Sequence, residues 1–229
     1  MNTVFFKNLG IVDFKHAWDT QESILNSLIE KKRSKKNRSC AGYLLFCQHP
    51  HVYTLGKSGD YSNLLLNNKE LSDKNASFYK INRGGDITYH GPGQLVIYPI
   101  FDLDFFFTDI HKYLRFLEDI VIGVLSDYSI FGERIAGSTG VWIGEKEKKK
   151  ICAIGVRASR WVTMHGLAFN INVNLEYFNN IVPCGISDKG VTSLNKVLGS
   201  TVNFKDVEKK FYNQFKKVFN INIEDAEKI

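Results

Sequence analysis

The chain has 229 residues, 44% hydrophobic and 24% charged, with a net charge of +6. That length can bury a substantial core as one large domain or two small ones, and the composition excludes a disordered or fibrous chain. Four cysteines with no CxxC spacing exclude a disulfide-stapled scaffold and point to a reducing compartment. The N-terminal residues lack a signal-peptide pattern, and no apolar run is long enough to span a bilayer. A cytoplasmic location with no membrane partner is expected. The basic excess sits largely in two lysine-rich runs, residues 31–38 and 146–150. Neither is interleaved with aromatics as in single-strand binders, so no nucleic-acid partner is expected. Each run taken alone reads equally well as a solvated turn.

Phe14, Ala17, Ile24, Leu25 and Leu28 recur at helical spacing behind a capping Asp13, which predicts a helix to about Lys32. Residues 43–47 and 78–82 read as strands. Residues 83–94, Arg-Gly-Gly-Asp-Ile-Thr-Tyr-His-Gly-Pro-Gly-Gln, then form a polar, glycine-rich loop ahead of a buried strand at 95–101. An isolated Gly-Pro-Gly is usually a surface turn. The added Arg83, Tyr89 and His90 make a ligand-facing pocket wall the better reading. A helix follows over 109–125, then strands at 139–143, 150–157 and 165–173. A last helix at 203–219 is capped by Asn203, with Asp206 in the capping-box position.

Along the strand 165–173, alternation places His165, Leu167, Phe169, Ile171 and Val173 on one face. Gly166, Ala168, Asn170 and Asn172 occupy the other, where small residues leave a groove. An acyl chain, a flat ring or a closely packed helix fits that groove equally well. Cys184 lies in a Pro-Cys-Gly turn, a setting more exposed than that of Cys47 or Cys152 within strands. As a nucleophile it needs a cation to lower its ionisation from the ordinary value of about 8.5; Lys150, His90 and His165 are the candidates. The alternative is a buried, inert thiol. The sets Cys47/His49/His51 and His90/His165/Cys184 lack the paired short spacings of zinc ligands, so no metal is expected. No GxxxxGK[ST] loop or strand-linked GxGxxG is present.

Taken together, these residues closely resemble the lipoyl(octanoyl) transferases. The match comprises Arg83–Gln94 (RGG-x-x-TYHGPGQ), Lys150–Arg157 (K-I-x-x-I-G), Thr163–Asn170 (T-x-H-G-x-A-x-N), and Pro183–Ile186 with Val191–Leu194 (P-C-G-I…V-T-S-L). His49–Gly56 and Gly140–Ile143 match lesser segments. The resemblance implies an α+β fold of the biotin/lipoate protein ligase type: one catalytic domain over 1–229, with mixed sheet and flanking helices, and a C-terminal helix or small lobe from about 200. It implies transfer of octanoyl from octanoyl-acyl carrier protein to a lysine of lipoyl domains. The acceptors would be 2-oxoacid dehydrogenase complexes and the glycine cleavage H protein. Cys184 would carry the acyl thioester and Lys150 would activate it. Arg83, Gly84, Gly85, Asp86, Ile87, Thr88, Tyr89 and His90, with Ala153, Ile154, Gly155, Gly166, Leu167 and Ala168, would line the acyl site. His165 and Gln94 would support it, and the small-residue face of the 165–173 strand becomes the acyl side. No cofactor is implied, since one thioester is exchanged for another. The competing readings are an ATP-dependent lipoate or biotin ligase on the same fold and a non-catalytic carrier-binding module. Neither gives the Pro-Cys-Gly turn a task.

Overall fold

The computed structural model describes residues 1–34, 40–182 and 190–226. In chain order the elements are β1 (Asn2–Ile11), α1 (Phe14–Arg33), β2 (Gly42–Gln48), β3 (Val52–Leu55), α2 (Asn68–Asp73), β4 (Ser77–Lys80), β5 (Ile87–His90) and β6 (Gln94–Phe101). There follow α3 (Ile110–Ser126), β7 (Glu133–Ile135), β8 (Ser138–Ile143), β9 (Lys149–Ser159), β10 (Val162–Asn170), α4 (Leu194–Leu198), α5 (Phe204–Phe219) and β11 (Ile221–Asp225).

The long helices start where their caps dictate. Asp13 accepts from the amides of Lys15 and His16, and Asp109 from those of His111 and Lys112. Asn203 caps α5 through the Lys205 amide, with Asp206 in the first turn. Among the described residues, eight strands form one mixed sheet in the order β11-β1-β2-β6-β10-β9-β8-β7, and β4-β3-β5 form a second, smaller sheet. β1 runs parallel to both β2 and β11, and the remaining pairs of the large sheet are antiparallel.

Alternation along the central strands divides the core. Leu95, Ile97 and Phe101 of β6, with Leu167 and Phe169 of β10, face α3 and α5, where Phe211, Phe215 and Phe219 complete a densely aromatic layer. Val96, Tyr98 and Ile100 point the other way, with Ala168, toward the apolar stripe of α1. The last helix thus belongs to the main core, and β11 extends the main sheet.

Two sequence expectations change, while the strand predicted at 78–82 is found as β4, in the small sheet. Residues 87–90 form strand β5, paired with β3, so the glycine-rich stretch is a loop, a short strand and a turn. The strand predicted at 165–173 runs instead from Val162 to Asn170, and its pairing with β9 continues through His165, whose φ is +59°. That left-handed residue carries its side chain off the face that period-two spacing assigns it; its Nε2 lies 3.0 Å from Asn82 Oδ1.

Candidate active site

A cavity of about 290 Å³ lies on the α1 side of the large sheet. Its floor is a row of paired positions across three strands, Ala153 of β9, Ala168 of β10 and Val96 of β6. Small side chains here leave the space that on the opposite face is filled by phenylalanines. Gly166 also borders the cavity, but its lack of a side chain serves packing. A Cβ there would lie 2.1 Å from the Ile97 carbonyl oxygen, so only glycine permits β10 and β6 to approach.

The Arg83–His90 segment folds over this floor. The Gly84 amide donates to the Val156 carbonyl at 2.9 Å, pinning the loop to β9. The Lys57 amide donates to the Arg83 carbonyl, and the Gly56 amide to that of Asp86. Arg83 Nη2 donates to Thr54 O at 2.7 Å and Oγ1 at 3.1 Å. Asp86 accepts from the Ile87 amide and from Asn63 Nδ2. Arg83 and Asp86 are therefore braces of the loop as well as lining residues.

Of the segment's predicted site residues, Arg83, Gly85, Asp86, Ile87, Thr88 and His90 border the cavity, whereas Gly84 and Tyr89 do not. Tyr89 belongs to the small sheet's core: its ring packs against Tyr53, Tyr177 and Phe178, and its hydroxyl pairs with His51 Nδ1 at 2.6 Å. Ala153, Ile154, Gly155, Gly166, Leu167, Ala168, His165 and Gln94 all border the cavity, as does Lys150.

A buried polar chain runs along one wall. Gln94 Nε2 donates to Tyr89 O and Asn170 Oδ1, which leaves Gln94 Oε1 to accept from His90 Nδ1 at 2.8 Å. Asn170 Nδ2 in turn donates to the Thr192 carbonyl. Burial lowers the pKa of His90 to about 3, reinforced by nearby His49. Burial, with the charges of Arg83 and Arg157, lowers that of His165 to about 3. Both imidazoles are neutral near pH 7, which removes them as the cations that could activate a thiol.

Lys150 is the remaining candidate. It pairs with Trp142 of the antiparallel neighbour β8, and its Nζ sits 4.6 Å from the Trp142 ring centroid. Its amide donates to Gly190 O at 2.9 Å and its carbonyl accepts from Thr192 at 3.0 Å. On the other side of the cavity the Val182 amide donates to Asn63 O, and Ile181 bridges Leu64. Ile181, Gly190 and Val191 all line the cavity. Cys184 itself, with residues 183–189, lies outside the described residues.

The described cysteines are unsuited to nucleophilic work. Cys40, Cys47 and Cys152 are buried, and burial raises the pKa of each thiol. Cys152 faces the α3/α5 core and does not line the cavity. His49 is committed to Val12 O and Tyr98 OH, and burial lowers its pKa to about 4. Among the described residues no group of three His, Cys, Asp or Glu side chains is placed to hold a metal, and no helix is long and apolar enough to cross a membrane.

Sequence reasoning missed Phe14, Ile81, Val96, Tyr98, Trp142 and Phe178 as wall residues. Val96 and Tyr98 sit in an uninterrupted apolar run, where spacing alone does not separate the cavity face from the packed face. Trp142 carried a signal, in the segment Gly140–Ile143.

In this α+β protein a largely apolar cavity lies on the mixed sheet, bordered among the described residues by the glycine-rich segment and Lys150. Residues 13–216 match the model of the lipoyl protein ligase A/B catalytic domain. An octanoyltransferase of Christiangramia forsetii is 56% identical over 95% of this chain and 96% of its own length. One of Flavobacterium psychrophilum is 55% identical over 96% of this chain and 98% of its own. The chain belongs to the lipoyl protein ligase A/B catalytic domain family, within its octanoyltransferase group. Among solved structures, a lipoate-protein ligase A bound with ATP superposes with a TM-score of 0.73 at 14% identity, covering 98% of this chain and 88% of that one. A bipartite lipoate protein ligase from Thermoplasma acidophilum gives 0.71 at 14%, covering 98% and 86%. At such identity the likeness is one of fold.

Proposed function

We propose that this chain is an octanoyltransferase that moves an octanoyl group from octanoyl-acyl carrier protein, through a thioester on Cys184, to a lysine of a lipoyl domain. The observation that carries the reading is the small-residue floor of the cavity with Lys150 at its edge, hydrogen-bonded to Gly190, which follows the segment containing Cys184. Elimination of Cys40, Cys47 and Cys152 as nucleophiles supports Cys184 as the acyl carrier.

The chemistry balances without a nucleotide. Lys150 takes the Cys184 proton, and the thiolate attacks the donor's thioester carbonyl. The carrier's thiolate leaves and recovers a proton from the Lys150 ammonium. The neutral acceptor amine then attacks the acyl-enzyme, Lys150 takes the amine proton, and Cys184 leaves as thiolate. The amide product is more stable than either thioester, which drives the second step. Burying about seven carbons of the chain at ~0.8 kcal/mol each supplies roughly 5–6 kcal/mol for a medium-length acyl group. An extended octanoyl chain, seven C–C bonds of about 1.5 Å in zigzag, reaches roughly 9 Å. That matches two strand spacings of about 4.8 Å from β9 across β10 to β6.

The acceptors are the lipoyl domains of 2-oxoacid dehydrogenase complexes and the glycine cleavage H protein, approached by a chain of net charge +6 that suits acidic partners. The whole of 1–229 acts as one catalytic unit, in the cytoplasm. The test is octanoyl transfer from octanoyl-acyl carrier protein to an isolated lipoyl domain without ATP, read as a mass gain on the domain. Wild type is expected to transfer, Cys184→Ala to be inactive, and Lys150→Ala to lose roughly 10²- to 10⁴-fold. A strict requirement for ATP, or full activity of Cys184→Ala, overturns the reading.

A further inference from the structure

Lys150 is built into a slot between Trp142 and Gly140. β9 bulges beside it, so that Val141 pairs with Cys152 while the next residue, Trp142, pairs with Lys150. Directly opposed residues of two antiparallel strands share a face, which sets the lysine stem beside the indole. The ring is nearly buried, 4% exposed, and its orientation is fixed because Nε1 donates to the Ser138 carbonyl at 3.0 Å. The other wall is Gly140, whose φ of +122° favours glycine. A Cβ there would lie 3.4 Å from Lys150 Cε and 2.5 Å from the Cys152 carbonyl oxygen. Beneath it, the buried Glu118 carboxylate accepts the Gly140 amide through Oε1 at 3.1 Å, while Arg115 and Arg134 hold Oε2. The slot is therefore braced from α3.

We propose that Trp142 is a positioning residue for acyl transfer: its indole face holds the Lys150 side chain in its ammonium form at the cavity edge, favouring the ammonium–thiolate pair. The inference rests on the Cys184/Lys150 reading above. The face of an aromatic ring carries negative charge density and attracts an ammonium within about 6 Å, most strongly for tryptophan and in partly desolvated sites; the observed 4.6 Å is inside that range. A neutral amine gains little from the ring. The contact thus stabilises the state in which the thiol proton already resides on Lys150.

The test is the pH profile of Cys184 alkylation by iodoacetamide, located by peptide mass, in wild type, Trp142→Leu, Trp142→Phe and Lys150→Ala. Wild type is expected to alkylate at a pH below that of an ordinary thiol and Lys150→Ala near it. Trp142→Leu is expected to fall between them, with a roughly three- to tenfold loss of rate near pH 7. Trp142→Phe, which keeps an aromatic face, stays within about twofold of wild type. If Trp142→Leu does not fold, incorporation of fluorinated tryptophan weakens the ring's negative face with little change of shape and is expected to move the profile in the same direction. A Trp142→Leu or fluorotryptophan profile superposing on wild type, while Lys150→Ala is displaced, overturns the role of Trp142 alone. Equal impairment of the Leu and Phe variants reduces it to packing. An undisplaced Lys150→Ala profile overturns the dyad, and this inference with it.

Discussion

The two faces of the large sheet are made by the same strands and have opposite characters. Toward α3 and α5, β6 and β10 present Leu95, Ile97, Phe101, Leu167 and Phe169, and the helices return Phe211, Phe215 and Phe219 into every gap. Toward α1, the same strands present Val96 and Ala168, joined by Ala153 of β9, and the space above them is left open. One face maintains the fold while the other keeps a place for a ligand. The difference lies in side-chain volume at alternate positions, not in backbone geometry. The polar groups follow the same division. Gln94, His90, Asn170 and Lys150 border the open face, where chemistry needs them, whereas the buried carboxylate on the packed side, Glu118, is matched by two arginines.

The largest effect that would test this division is truncation on the packed face. Phe211→Ala removes a fully buried ring and is expected to cost roughly 3–5 kcal/mol in urea unfolding, with octanoyl loading per folded molecule unchanged. A comparable loss of loading would show that the two faces are not independent. Filling the open face should do the reverse. Ala168→Leu is expected to leave the unfolding midpoint nearly unchanged, because the added volume enters existing space, yet to slow loading from octanoyl-acyl carrier protein at least tenfold. Loading from a butanoyl donor should be spared. If both donors suffer equally, the floor row does not hold the chain.

The smallest effect concerns pH. His90 and His165, with pKa values lowered by burial to about 3, take up protons on unfolding below the ordinary imidazole value of about 6.5. Their contribution to stability is present above that value and is lost as pH falls toward 3. Each steepens the acid limb by up to about 1.4 kcal/mol per pH unit. His90→Gln is expected to shallow that slope in urea titrations at pH 4–6, and an unchanged slope would show that His90 is not held neutral.

What was legible in the sequence follows the range of the interactions involved. The caps Asp13, Asp109 and Asn203 and the apolar stripes behind them are local, and they locate α1, α3 and α5 to within a residue or two. β1 and β11 escaped because parallel partners more than 200 residues apart leave no local mark. β5 was hidden among glycines whose turn signals are stronger than its four-residue alternation. At the site, period-two counting puts His165 on the packed face, but its left-handed backbone turns that one side chain away, while Val162, Met164 and Ala168 keep to the α1 face on both sides of it. The family pattern puts Tyr89 in the pocket with its neighbours, whereas its ring packs in the core of the small sheet. Lys150 emerges from its place beside the apolar run 151–155 and from a family pattern, and it lies within β9. The Trp142 slot that holds it depends on a bulge that spacing does not encode.

The central claim, that the open face shelters an acyl chain attached to Cys184, is tested most directly by peptide-mapped mass spectrometry of the enzyme after incubation with octanoyl-acyl carrier protein alone. One octanoyl group on the peptide containing Cys184, absent from Cys184→Ala and strongly reduced in Ala168→Leu, is the predicted result. An adduct on Cys152 or on a lysine, or one that persists in Cys184→Ala, would contradict it.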